Sequence, residues 1–285
     1  MKKLLALLMA LVMIVSMVAC DFSNENDTTA EQTTETKAEQ TTAEQTTETE
    51  TETETETETE TETETDAADV MSYEEYAAAE MDAPVVIEAY VQATQSWWDN
   101  KIVAYLQDKD GAYFAYNMAC SEEDAAKLVP GTKIRVTGFK GEYAGEVEIL
   151  DATFTFVEGA DTYIAPATDV TALLANETEL AKKMNMFVAF NGLTVVASKD
   201  ADGNDVAFLY KWNGSGTDGD DLYFNVSDGT NTYSFTVESY LCNKDTDVYK
   251  AVKALKIGDK IDTEGFLYWY NGVNPHITSV KVVTE

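Results

Sequence analysis

The sequence predicts a mainly β protein, with two tandem five-stranded Greek-key barrels carried behind an export signal and a long acidic tract. Three observations predict this. Residues 128–139, LVPGTKIRVTGF, and residues 255–266, LKIGDKIDTEGF, align without a gap and share Leu, Gly, Lys, Ile, Gly and Phe. Ordinary residue usage would supply about one such identity, so the folded part is duplicated. Apolar residues alternate in several segments separated by Gly- and Asp-containing turns, the pattern of half-buried strands. A short helical stretch sits between the third and fourth strands of the first copy, which is the OB-fold order.

The chain opens MKKLLALLMALVMIVSMVAC, with Lys2 and Lys3 before an apolar run from Leu4 to Val18. That run is shorter than the roughly 20 residues that span a bilayer, and residues 1–19 are expected to be a secretory signal. Met17-Val18-Ala19-Cys20 resembles the lipobox of bacterial lipoproteins. The resemblance implies that Cys20 carries a lipid and that the protein is held at the extracytoplasmic face of the cell membrane.

Residues 20–69 are expected to form a disordered linker. They are almost entirely Thr, Glu, Gln, Ala and Asp, with strict Thr-Glu alternation from Thr49 to Thr65. Alternation makes a strand only where one face can be buried, and here neither can. A neutral coil of this length would span roughly 40 Å, and charge repulsion extends it further. Residues 21–69 hold eighteen acids and one lysine, or -17 of the net charge of -33; Lys2 and Lys3 contribute +2, so the rest of the chain carries -18. That balance counts against generic binding of a phosphate backbone.

The first barrel is expected over residues 70–160. Ser72 and Glu75 form a capping-box pattern opening a short helix. VVIEAYVQATQSWW reads as a long strand with Ile87, Ala89, Val91 and Ala93 on one face. On that parity Trp97 turns inward and Trp98 outward with Tyr90, unless a bulge exchanges them. KIVAYLQD, AYFAYNMAC, a helix from Ser121, and a hairpin of TKIRVTGFKGEY and EVEILDATFTFV around Ala144-Gly145 complete the set. The second barrel is expected over residues 168–285, with an insertion at 198–221 between its first and second core strands. The segment GADTYIAPATD reads as a linker, from which independent folding of the two copies is expected.

YLQDKDGAYFAYNM followed by LVPGTKIRVTGFKGEYAGEVEI resembles the OB-fold domains of secreted bacterial nucleases and surface lipoproteins. Asp108, Asp110 and Gly111 supply the D-x-D-G turn, and Pro130 to Gly138 the P-G-x-x-[IV]-x-[VI]-x-G segment. The match covers residues 85–157; the second copy follows it mainly from Asp228 and lacks the Pro. The resemblance implies nucleic-acid binding by analogy of fold, although such barrels also bind oligosaccharides and proteins.

Catalytic constellations are scarce. The single histidine, His276, precedes a final strand and reads as structural, and H-E-x-x-H and G-x-S-x-G are absent from the sequence. The expectation is a protein that is not an enzyme, with no cofactor and no metal. Cys120 and Cys242 read as separate buried thiols. Asp200 to Asp205, DADGND, reads as a hairpin turn, because its Gly is fourth where an EF-hand requires it sixth. Lys133 and Arg135, and the helical set Lys250, Lys253 and Lys256, read as solvated faces.

The aromatic residues are the sharper signal. Trp97, Trp98, Trp212 and Trp269 all fall at first-to-second or fourth-to-fifth strand connections, where OB-folds bind oligomers. With Tyr90, Tyr105, Tyr143, Tyr268 and Tyr270 they form the candidate ligand-binding set. The alternative is that these rings close the barrel ends or pack the domains together. The leading expectation is a surface-anchored binding module for an extracellular glycan or wall polymer. Single-stranded nucleic-acid binding and a structural protein-interaction module are the alternatives.

Overall fold

The computed structural model describes residues 69–283. The expected signal segment, Cys20 and nearly all of the acidic tract lie outside the described residues.

The first helix, α1 (Tyr73–Ala78), begins with the expected capping box: Glu75 N donates to Ser72 Oγ at 3.2 Å and Ser72 N to Glu75 Oε2 at 2.8 Å. Its other end is held by Lys140, a residue only 5% exposed. Lys140 Nζ donates to the carbonyls of Tyr76, Ala77 and Ala79 at 3.1, 2.8 and 2.8 Å. A buried ammonium is tolerable because all three of its protons meet carbonyl oxygens at the negative end of a helix.

Five strands close the first barrel: β1 (Pro84–Thr94), β2 (Lys101–Gln107), β3 (Ala112–Ala119), β4 (Lys133–Tyr143) and β5 (Glu146–Phe156). The order is β1-β2-β3-β5-β4, with β4 returning to β1 and the β3–β5 pair parallel. A short helix, α2 (Glu122–Ala125), capped by Ser121, joins β3 to β4. Ile87, Ala89, Val91, Ile102, Ala104, Leu106, Ile134, Val136 and Ile149 fill the interior.

The second copy opens with β6 (Thr168–Asp169) and α3 (Glu177–Ala181). Its barrel uses β7 (Phe187–Val196). The insertion follows as β8 (Ser198–Lys199), β9 (Asp205–Val206) and β10 (Leu209–Tyr210). The barrel resumes with β11 (Leu222–Ser227), β12 (Thr232–Val237), α4 (Asp247–Ala254), β13 (Lys260–Phe266) and β14 (His276–Val282). Pairing of β11 with β7 closes the ring β7-β11-β12-β14-β13, with β12 and β14 parallel as β3 and β5 are in the first copy. The protein is therefore mainly β, with two closed five-stranded barrels in OB-fold order.

The sequence repeat has a steric cause. Gly138 and Gly265, which occupy the same place in the two copies, lie at bulges of β4 and β13. A Cβ there would stand 2.6 Å from the Leu150 carbonyl oxygen and 2.2 Å from that of His276. Only glycine lets each strand cross its neighbour that closely.

One expectation needs correction. The first strand ends at Thr94 and does not run on to Trp98. Gln92 bulges out between Val91, opposite Leu106, and Ala93, opposite Tyr105, so Ala93 moves to the outer face. The barrels also share a buried interface. Val103, Tyr105 and Phe114 of the first barrel pack on Phe266 of the second, with Phe187, Leu241 and Tyr268 around them. Tyr105 stacks on Phe266 at 4.4 Å between ring centres, and its hydroxyl is 2.6 Å from His276 Nδ1. Phe187 N donates to Gln107 Oε1 at 2.8 Å, Trp269 N to Glu146 Oε2 at 2.8 Å, and Asn271 N to the Ala144 carbonyl at 2.6 Å. A cluster of this kind is expected to couple the two halves in unfolding, which chemical denaturation tests.

Candidate ligand-binding groove

The interface divides the predicted aromatic set. Tyr105, 1% exposed, is consumed by it and cannot meet a ligand. Trp269, 6% exposed, packs in the second core and is also withdrawn. Tyr268 is half-buried and stacks on His276 at 4.1 Å. Tyr90 is covered by the segment connecting the barrels: its hydroxyl donates to Asp161 at 2.6 Å and Tyr163 packs edge-on against it. Trp97 is half-buried against the first core and its indole N–H donates to the Cys120 carbonyl at 2.9 Å.

Four of the predicted rings remain exposed: Trp98, Tyr143, Trp212 and Tyr270. Trp98, at 77%, is the most exposed large apolar side chain among the described residues. Its presentation is local chemistry. Trp98 and Lys101 exchange backbone hydrogen bonds at 3.0 and 2.9 Å, and Asp99 and Asn100 between them both have positive φ, 49° and 58°. A two-residue turn of this hand suits the right-handed twist of the flanking strands, and Asp and Asn tolerate it best after glycine. Trp97 thus reaches the core from a loop, after the bulge has already reversed the strand's parity.

Trp98 forms one wall of a groove of about 460 Å³ along the end of β2 and β3. Gln95, Ser96, Lys101, Val103, Tyr116, Asn117 and Tyr240 complete most of the lining. The groove spans both barrels, since Ser96 N and Oγ both donate to the Tyr240 carbonyl, at 2.8 and 3.1 Å. It offers three exposed rings, two amides, hydroxyls and one lysine, and no carboxylate lines it. A wider cleft of about 640 Å³ near α2 is lined by Cys120, Asp124 and Glu158 with Phe154 and Phe156 of β5; it carries two carboxylates, and both of its rings are half-buried.

Sequence reasoning missed Tyr116 and Tyr240. Tyr116 shares the outward parity of Phe114 on β3, which was a usable signal. Tyr240 follows β12 in a turn of the other barrel, and nothing local to it pointed to the groove. Trp212 lies in the insertion and lines no part of the groove. Tyr143 and Tyr270 pair at 6.1 Å where the β4–β5 turn meets the β13–β14 connection.

The interface carries unusual protonation. Burial pushes the Glu146 carboxyl up to about 9 and that of Glu148 up to about 7. Burial also raises Glu238 to about 7 and lowers His276 to about 3, which keeps the imidazole neutral. Among the described residues no group of three or more His, Cys, Asp or Glu side chains could hold a metal ion. Cys120 and Cys242 are buried free thiols. Asp200 closes the DADGND turn by accepting from Asp202 N and Asn204 N at 3.0 and 2.8 Å. Lys133 and Arg135, read as solvated, both pair with Glu88 at 2.8 Å.

No protein-family model matches the chain, and no curated protein matches it. Solved structures similar to it include the p204 HINb domain, at 13% identity and a TM-score of 0.33, covering 71% of this chain and 98% of that one. The Ifi202 HINa domain in complex with 20bp dsDNA is 10% identical, with a TM-score of 0.34 and coverage of 71% and 98%. A murine DNA binding protein bound with ds DNA is 12% identical, with a TM-score of 0.33 and coverage of 71% and 97%. At these scores the likeness carries no inference about what this chain binds.

Proposed function

We propose that this chain is a non-catalytic binding protein, tethered outside a bacterial cell by a lipid on Cys20, which holds an extended glycan in the groove beside Trp98. One observation carries the reading. In a folded part of charge -18, the groove gathers Trp98, Tyr116 and Tyr240 with amides and hydroxyls and excludes every carboxylate. Flat rings flanked by neutral hydrogen-bonding groups suit sugar rings, whose faces are apolar and whose edges are hydroxylated. The acidic tract then serves as a spacer that holds the barrels off the membrane.

Single-stranded nucleic acid is the second reading, favoured by Lys101 at the groove and by the stacking capacity of Trp98 and Tyr116. Salt separates the two. Affinity for neutral oligosaccharides should hold between about 50 and about 200 mM salt, whereas affinity for an oligonucleotide should fall by orders of magnitude if several phosphates are neutralised. Oligonucleotide binding with a steep salt slope, and no oligosaccharide binding, would replace the first reading by the second.

A further inference from the structure

A second compartment adjoins the groove and shares Gln95 with it. It lies on the β11–β12 face of the second barrel, the counterpart of the β2–β3 face that bears the groove, and encloses about 220 Å³. Its chemistry is the opposite of the groove's. Asp221 and Glu238 line it with Tyr223, Tyr268, Tyr270 and His276, and neither lysine nor arginine does.

The two carboxylates are fixed in place. Asp221 Oδ1 accepts from Ser239 N at 2.8 Å and from Ser239 Oγ at 2.6 Å. Glu238 accepts from Tyr240 N at 3.2 Å and from Leu241 N at 2.8 Å. Tyr240, which follows directly, stands in the groove, so one turn builds both compartments. His276 is 7% exposed, held through Nδ1 by the Tyr105 hydroxyl and stacked on Tyr268. Because burial keeps it neutral, it adds no positive charge to the compartment.

Tyrosine faces attract a cation through their quadrupoles, and the Asp221 carboxylate attracts it further. Glu238, which burial raises to about 7, adds its charge as the pH rises past neutrality or as an entering ammonium group favours its ionised form. An anion entering the same space would meet Asp221 and Glu238 with no compensating base. We propose that this compartment is a subsite for a primary ammonium group, so that the polymer lying in the groove is an amino-sugar glycan carrying free amines. The inference rests on the glycan reading of the groove. It names the substituent that the second barrel reads while the first holds the ring.

The test is calorimetric titration of the protein with two probes, an oligomer of glucosamine and the same oligomer fully N-acetylated. Acetylation removes the charge and leaves the ring. The free-amine oligomer is expected to bind about tenfold more tightly or better. Glu238→Gln and Tyr270→Ala should each bring that preference, read as the ratio of the two affinities measured on the same variant, to within about threefold. Tyr270 is half exposed, so its truncation tests the subsite even where Glu238→Gln disturbs the turn. Equal affinities for the two oligomers in the unaltered protein overturn the subsite and leave the groove standing. A preference undiminished in both variants assigns it to the general acidic field and also overturns the subsite. Binding of neither oligomer overturns the groove reading, and the subsite with it.

Discussion

Glu146→Gln offers a stringent test of the interface. The side chain is fully buried; Oε2 accepts from Trp269 N at 2.8 Å, and Oε1 has no hydrogen-bond partner. Burial raises the carboxyl to about 9 from an ordinary 4.5, so the folded protein holds this proton where the unfolded chain has released it. The stability tied to this group is therefore complete below about pH 4.5 and is lost as pH rises toward 9, at about 1.4 kcal/mol per pH unit. Between pH 5 and pH 8 the loss amounts to roughly 3 to 4 kcal/mol. Glutamine keeps the shape and an oxygen acceptor for Trp269 N–H but cannot ionise. Urea unfolding of both proteins should show the variant gaining about 3 to 4 kcal/mol on the parent between pH 5 and pH 8, on top of a pH-independent offset from burying the amide N–H groups. Glu148 and Glu238 titrate in both backgrounds, so their slopes cancel in the difference. Parallel stability profiles would show that Glu146 is ionised in the fold and that the interface is wetter than its geometry implies.

Other outcomes follow from the same packing. Tyr105→Phe removes the hydroxyl at 2.6 Å from His276 and leaves a buried imidazole unpaired, which should cost about 1 to 3 kcal/mol by chemical denaturation, with both barrels still unfolding in one transition. Two separate transitions in the unaltered protein would refute the coupling of the halves. Trp97→Ala should destabilise by about 2 to 3 kcal/mol, since it loses core contacts and the bond to the Cys120 carbonyl. Trp98→Ala should change stability by less than about 1 kcal/mol while weakening oligosaccharide binding, checked by thermal unfolding and titration of the same sample.

The barrels were legible because their determinants are local or repeated. Ser72 and Glu75 announce α1, Ala144-Gly145 the β4–β5 turn, and Gly138 with Gly265 the crossing points that both copies need. The interface was harder to see because it joins outward faces of strands far apart in sequence. One signal was present: KIVAYLQ is apolar at adjacent positions, and every residue of it from Ile102 to Gln107 is buried, alternately by the first core and by the second barrel. A half-exposed barrel strand would have alternated. His276 illustrates the same limit. As a lone histidine it reads as structural, and it is buried, yet its partner Tyr105 lies 171 positions away in the other copy. The groove was half legible: Trp98 follows from the turn, whereas Tyr240 is brought there only by the docking of the barrels.

The central claim, that the groove beside Trp98 holds ligand, is tested most directly by the indole N–H resonances of the four tryptophans during titration with a glucosamine oligomer. Trp98 should shift with saturation, while Trp97 and Trp269, held in the cores, and Trp212, out on the insertion, stay in place. A shift confined to Trp212, or saturable binding that leaves Trp98 unmoved, would contradict the account.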